Sequence, residues 1–123
     1  MKKMLLFLNP FLTSSSDWPT TDYATFFLHR GIEYADKSDL DHAISDYDKA
    51  IQLKPDYADA YYNRGNAYLD KCDIDHAISD YDKAIQLKPD YADAYYNRGL
   101  AYFQKGNLYH AISDYDKSYS AQT

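Results

Sequence analysis

One cysteine in 123 residues removes a whole class of architectures: Cys72 can form no disulfide within the chain and belongs to no Cys-based metal cluster. Glutamate is almost absent, since 18 of the 19 acidic side chains are Asp, and apart from Lys2-Lys3 the 13 Lys and Arg stand singly. A net charge of −6 with dispersed cations excludes a phosphate-backbone reader, so nucleic acid is not an expected partner. Tryptophan occurs once and glycine four times. No apolar run reaches the ~20 residues that a spanning helix needs. The longest one is N-terminal, where Lys2-Lys3 precede Met4-Leu5-Leu6-Phe7-Leu8 and Asn9-Pro10 then interrupt. That segment resembles a short signal sequence without an Ala-x-Ala cleavage site; an apolar arm packed on the first helix is the reading we expect. A cytoplasmic location without firm membrane association follows as the expectation, with a secreted or membrane-associated form through residues 1–16 left open.

What is abundant is tyrosine, 15 residues against 5 Phe. Tyr covers apolar surface with its ring and keeps a hydroxyl for water or a partner, so such a chain can carry contact surface and stay soluble. Apolar residues at 46% supply a core. Acidity is unevenly placed: residues 24–57 and 58–91 each carry seven acids and four bases, whereas 92–123 carries three of each.

An internal repeat organises everything else. Residues 42–66 and 76–100 match at 24 of 25 positions at an offset of 34, and the series resumes at His110-Ala111-Ile112-Ser113-Asp114-Tyr115-Asp116-Lys117. Within a unit Ala43, Ile44, Tyr47, Ala50 and Ile51 share one face of a 3.6-residue period. Tyr61, Arg64, Gly65 and Tyr68 do the same for the segment before Ala77. Short polar turns ending in Asp39, Asp73 or Asn107 predict N-caps for each second helix. Pro55 and Pro89 close the second helices, and Asp56 and Asp90 are placed to cap the next. Gly31, Gly65 and Gly99 recur inside first helices, where a glycine costs roughly 1 kcal/mol, so close helix contact is expected there. Tyr34, Tyr68 and Tyr102 are expected to fill the space beside them.

The period of 34 with the skeleton Tyr61, Gly65, Tyr68, Ala77, Tyr81, Ala84 and Pro89 resembles the tetratricopeptide repeat. The same skeleton reads Phe27, Gly31, Tyr34, Ala43, Tyr47, Ala50 and Pro55 in the first unit, and Tyr95, Gly99, Tyr102, Ala111, Tyr115 and Ser118 in the third. The resemblance implies an all-α fold: an α-solenoid of three helix–turn–helix units, 24–57, 58–91 and 92–123, in a right-handed superhelix behind an N-terminal arm of residues 1–23. Arg30, Arg64 and Arg98 stand where the family usually has Leu, and we expect their stems to pack while their charged heads stay in water. Ser38 and Cys72 replace the turn glycine that Gly106 retains.

Three features invite a chemical reading. His42, His76 and His110 each precede an Asp by four residues (Asp46, Asp80, Asp114), a spacing that shares a helix face. Two ligands per hairpin cannot close a tetrahedral site, so these pairs are expected to be duplicated exposed surface and no metal is expected. Cys72 lies among Asp70, Asp73 and Asp75, which oppose a reactive thiolate. No nucleophile elbow or phosphate loop is present, and acids copied in every unit do not make a unique catalytic pair. The chain is therefore read as not an enzyme, with no cofactor.

The resemblance implies a concave groove lined by the first helices. The groove positions carried over are Leu28, His29 and Ile32; then Asp59, Tyr62, Asn63, Asn66 and Asp70; then Asp93, Tyr96, Asn97, Leu100 and Gln104. Members of the family that clamp a chaperone's C-terminal carboxylate use Lys and Asn in the first repeat, Asn in the second, Lys and Arg in the third. Here Leu28 and Ile32 replace the first pair, Asn63 matches, and Asp93 and Asn97 replace the last pair, so a carboxylate-terminated ligand is disfavoured. The expected function is a protein-interaction scaffold holding a protein or peptide segment, basic or amide-rich. The rival is self-assembly into a homo-oligomer through the last helix, where Tyr102 and Ile112 are expected to lie under thin cover.

Overall fold

A computed structural model describes residues 19–123, so the expectations for residues 1–18 lie outside the described residues. Six α-helices follow one another: α1 (Thr20–Asp36), α2 (Leu40–Leu53), α3 (Ala58–Asp70), α4 (Ile74–Leu87), α5 (Ala92–Gln104) and α6 (Leu108–Gln122). Each helix packs mainly on its neighbours in sequence, and the first helices α1, α3 and α5 touch one another only lightly. Helical hairpins stacked in this way make an α-solenoid.

Local chemistry sets every boundary. Asp39, Asp73 and Asn107 accept from the backbone N–H of His42, His76 and His110 at 3.3–3.4 Å, as their positions in the turns predict. The turn before each cap is a Schellman closure: in α3, Asp73 N–H reaches Tyr68 C=O at 2.9 Å and Cys72 N–H reaches Leu69 C=O at 2.9 Å. Pro55 and Pro89 open tight turns in which Tyr57 N–H and Tyr91 N–H return to Lys54 and Lys88 carbonyls at 3.1 and 3.0 Å. The N-cap positions of α3 and α5 are then Tyr57 and Tyr91, with no side-chain cap, and not Asp56 and Asp90 as expected. The turn bond carries the chain one residue further before helical geometry starts. Helix α1 likewise begins at Thr20, directly after Pro19, and so reaches into the segment expected to be arm. No preceding Pro-Asp-Tyr turn limits it there, as one limits α3 and α5.

The closure needs a left-handed residue, and Ser38 (φ 62°), Cys72 (φ 64°) and Gly106 (φ 87°) supply it. A side chain in that region costs roughly 1–2 kcal/mol, against the ~0.5–1 kcal/mol of extra chain entropy that glycine loses. Cys72→Gly should therefore raise stability by up to about 1 kcal/mol in urea unfolding. No gain, or a loss, would mean that the thiol contributes something the turn geometry does not show.

The core is built mainly from alanines and two tyrosines, with Leu28 and Ile78 beside them. Ala43, Ala50, Ala60 and Ala67 are sealed from water around Tyr47, and Ala77 and Ala101 around Tyr81. The small side chains let neighbouring helices approach closely, and each Tyr ring then lies against a glycine of its partner helix. A Cβ added at Gly31, Gly65 or Gly99 would stand 2.5, 2.8 or 2.7 Å from the Cε1 of Tyr47, Tyr81 or Tyr115. The rings beside the glycines are thus those of the second helices. Tyr34, Tyr68 and Tyr102 stack instead on His42, His76 and His110, centroids 4.9–5.1 Å apart.

Candidate functional site

Helices α3 and α5 lie side by side, and a polar and aromatic cluster joins them. Tyr81 Oη donates to Asn66 Oδ1 at 2.5 Å, and Asn97 Nδ2 donates to the same oxygen at 2.9 Å. Asn97 Nδ2 also donates to Tyr62 Oη at 3.0 Å, spending both amide hydrogens. The Tyr62 ring rests 4.9 Å from Tyr91 and 6.1 Å from Tyr81, and Tyr91 Oη donates to Asp59 Oδ1 at 2.6 Å. Asn63 turns its amide onto the Asp59 backbone carbonyl at 2.8 Å.

This arrangement brings together Asp59, Tyr62, Asn66 and Asn97, with Asn63 beside them. Tyr81 and Tyr91 complete the cluster and were not among the expected site residues. A signal for Tyr91 existed in the Pro-Asp-Tyr turn, repeated at Tyr57, where a ring at the head of a first helix can reach back to its predecessor. Asp70, Asp93 and Gln104 are exposed, and Tyr96 is 50% exposed with its ring 5.5 Å from Tyr115. Leu100 and Ile32 are half-buried, and His29 is exposed on α1.

Leu28 is a correction. It is only 4% exposed and belongs to the core with Tyr47 and Ala60, so it offers no surface to a ligand. Its phase is the one that each following hairpin covers, and a Leu is too short to reach past that cover as Tyr62 does.

Charge on this wall is negative and hydrogen-bond acceptors dominate it. Burial pushes the Tyr62 phenol above its ordinary pKa and nearby Asp93 and Asp59 add to the rise, while hydrogen bonds with Asn66 and Asn97 oppose it. Burial raises Tyr91 too, reinforced by its hydrogen bond to Asp59. Both phenols therefore stay protonated at neutral pH and can donate. Asn97 has spent both amide hydrogens and Asn63 one of its two, and their Oδ1 atoms remain as acceptors beside the Asp59, Asp70 and Asp93 carboxylates.

Elsewhere the structure corrects two expectations about charged residues. Arg30, Arg64 and Arg98 do not hold their heads in water. Each forms a two-pronged pair with a buried acid 16 residues on: Arg30 with Asp46 at 2.8 and 2.9 Å, Arg64 with Asp80 and Arg98 with Asp114 at 2.8 Å throughout. Asp46, Asp80 and Asp114 are 2–5% exposed and are not duplicated surface. His42 and His76 consequently lack the Asp four residues on and bond the N-cap carboxylates Asp39 and Asp73 at 2.9 and 2.8 Å. The bond to His42 holds Asp39 below the usual carboxylate range. Among the described residues no group of three or more His, Cys, Asp or Glu is placed to hold a metal ion, and no helix is long and apolar enough to cross a membrane.

Similarity to known proteins follows the same geometry. A family model described as TPR repeat matches residues 31–71 and 73–106, and one described as tetratricopeptide repeat matches 92–122. The crystal structure of MamA is similar at 34% identity and a TM-score of 0.79, over 84% of this chain, which spans 60% of that one. The first TPR of Spaghetti (RPAP3), bound to the HSP90 peptide SRMEEVD, is 29% identical with a TM-score of 0.81, covering 82% of this chain and 80% of that one. The TPR2B domain of yeast Sti1 in its pHsp70 complex is 28% identical with a TM-score of 0.79, covering 80% and 79%. No curated protein sequence matches the chain.

Proposed function

The chain belongs to the tetratricopeptide repeat family, and from that premise we propose that its units 24–57, 58–91 and 92–123 form a scaffold gripping a basic or amide-rich protein segment along α3 and α5. Family membership and structural neighbours in complex with peptides support a protein-interaction module. The acceptor-rich wall carries the finer reading: three carboxylates and two amide oxygens face a ligand, and no Lys or Arg stands among the groove residues. A ligand complementary to that wall brings donors, either backbone N–H groups or Lys and Arg heads. An acidic tail such as SRMEEVD meets like charge at Asp93. The Tyr faces suit cations as well, and within the chain Lys88 Nζ already sits 4.5 Å over the Tyr91 ring. Such contacts contribute roughly 0.5–1 kcal/mol each at exposed sites. A reducing cytoplasmic setting fits the exposed free thiol of Cys72.

A peptide array read at two salt concentrations tests this. Basic and amide-rich peptides should dominate the hits. Higher salt should weaken the basic ones, because exposed charges are screened beyond ~8 Å at physiological ionic strength. Asp93→Asn is the cleanest variant, since Asp93 is exposed and its carboxylate has no hydrogen bond or ion pair among the described residues. It should lower basic hits while leaving thermal unfolding unchanged. Alanine at Tyr62, Asn63, Tyr96 and Asn97 together should abolish capture, but it also removes the bonds joining α3 to α5. Dominance of acidic peptides, or indifference to Asp93→Asn, would sink the reading.

A further inference from the structure

We propose that Asn66 is the specificity-determining residue of the groove: it fixes Asn97 as an acceptor and Tyr62 as a donor, and that pair takes one primary amide, the side chain of a Gln or Asn in the bound segment. This subsite lies within the proposed groove and depends on that reading of the chain.

Orientation in the cluster is dictated from below. Tyr81 is wholly buried, so its hydroxyl hydrogen has to be accepted by the protein, and Asn66 Oδ1 takes it at 2.5 Å. Asn66 must then show its oxygen to the cluster. The amide that meets this oxygen from α5 has to come nitrogen first, and Asn97 Nδ2 does so at 2.9 Å. Its second hydrogen goes to Tyr62 Oη at 3.0 Å. Two groups are left over. Asn97 Oδ1 has no partner among the described residues, and since no buried side-chain oxygen there lacks one, it is open to solvent. The Tyr62 hydroxyl has accepted a hydrogen bond and still has its own hydrogen to give.

The preceding unit provides the control. Residues 42–66 and 76–100 differ at one position, Asn66 against Leu100. Asn63 holds in α3 the place that Asn97 holds in α5, but α1 offers it Leu28 and Ile32 in place of Tyr62 and Asn66. It turns back to the Asp59 carbonyl of its own helix at 2.8 Å. The same side chain reaches across the seam only where Asn and Tyr stand opposite.

An acceptor and a donor on bonded neighbours suit a group that carries both on one edge. A primary amide does: its N–H reaches Asn97 Oδ1 while its C=O accepts from Tyr62. An ammonium has only donors and an ionised carboxylate only acceptors, so each leaves one of the two groups unmet. Asp59 and Asp93, whose charges act on Tyr62, disfavour a Glu further. A trans peptide group points its N–H and C=O in opposite directions and cannot engage both.

The test uses the full chain and labelled heptapeptides of sequence Ala-Lys-Ala-X-Ala-Lys-Ala, ending in a methylamide and followed by fluorescence anisotropy. The Lys side chains engage the acidic wall in every peptide, and X is Gln, Met, Glu or a Gln dimethylated on its side-chain nitrogen. Gln should bind about tenfold more tightly than Met and than the dimethyl form, which keeps the C=O but has lost its N–H. Asn66→Leu should bring these ratios to within about twofold. Leu100 shows that the helix accepts Leu at this phase, and circular dichroism checks that the variant is folded. Tyr81→Phe should also lower the ratios, although the ring is buried and meets no ligand, because Asn66 is then free to turn over. Asn66→Asp should keep the preference for Gln, since a carboxylate still accepts from both Tyr81 and Asn97. A loss of packing alone would weaken all the peptides alike and leave the ratios as they were, and that result would overturn the proposal. Equal binding of the Gln and Met peptides by the wild type would overturn it and leave the groove itself standing. Failure of every peptide to bind at millimolar concentration would sink both. Binding abolished by N-methylation of the backbone at X, with the dimethyl side chain tolerated, would give the subsite to the main chain and overturn the proposal as well.

Discussion

Replacing Gly65 by Leu should destabilise the protein by more than about 2 kcal/mol. Even a methyl at Gly65 would lie 2.8 Å from Tyr81 Cε1 and 3.0 Å from its Cδ1, and the Tyr81 ring is wholly buried. The ring has no free end to swing away, because its hydroxyl is tied to Asn66. Relief must come from separating α3 and α4, which opens alanine contacts sealed on both sides. A side chain at this position would recover about 1 kcal/mol of helix propensity relative to glycine, so the overpacking has to exceed that gain to be seen. At Gly99 the same change should cost less. Its covering ring, Tyr115, is half-exposed and can yield outward. Urea midpoints for the two variants decide the matter. Adding Tyr81→Ala to Gly65→Leu should give a total below the sum of the single losses, since the two changes act on one contact. A Gly65→Leu midpoint equal to wild type would mean that the hairpin contact is not as close as the structure has it.

That glycine was legible from sequence, and so was most of the scaffold. A fixed offset of 34 marked the units, polar turns ending in Asp or Asn marked the caps, and Pro55 and Pro89 marked the breaks, because each acts on backbone a few residues away. What escaped was whatever depended on two helices meeting. Arg64 and Asp80 are 16 residues apart and lie on different helices. Periodicity within either helix shows only a cation at a core-facing phase and an acid beside a histidine. The natural inferences, a wet arginine head and a surface carboxylate, each failed for want of the other residue. The groove was legible in part for the same reason. Tyr62 and Asn97 were recognisable as residues outside the core stripe, but their bond to each other arises only when α3 and α5 lie side by side. Leu28 was misplaced because its burial is decided by the next hairpin.

The Arg64–Asp80 pair, hidden from sequence, should also be a costly polar contact to break. Asp80 is 5% exposed and both its oxygens accept from Arg64 at 2.8 Å, while a third nitrogen of the same guanidinium pairs with Asp48 of the neighbouring hairpin. The bond to Asp80 holds the guanidinium above its ordinary pKa despite burial, so the arginine stays charged throughout the accessible pH range. Arg64→Met would keep most of the stem packing and leave a carboxylate in the core without its counter-ion. Removing one member of a buried pair costs roughly 3–5 kcal/mol, most of it the penalty of the stranded charge rather than the worth of the pair. We expect about 3 kcal/mol here, the lower end, because the Arg64 side chain retains 21% exposure and water can reach part of the site. Arg30→Met should cost less. Arg30 is 41% exposed and pairs with Asp46 alone among the described residues. The double variant Arg64→Met/Asp80→Leu separates the two sources of loss. If the stranded carboxylate dominates, the double variant recovers most of the stability of the chain in urea unfolding. If the Asp48 link across the seam dominates, it recovers little, and Asp48→Asn alone reproduces the damage. An Arg64→Met midpoint indistinguishable from wild type would show that Asp80 finds water or another donor when the arginine is gone.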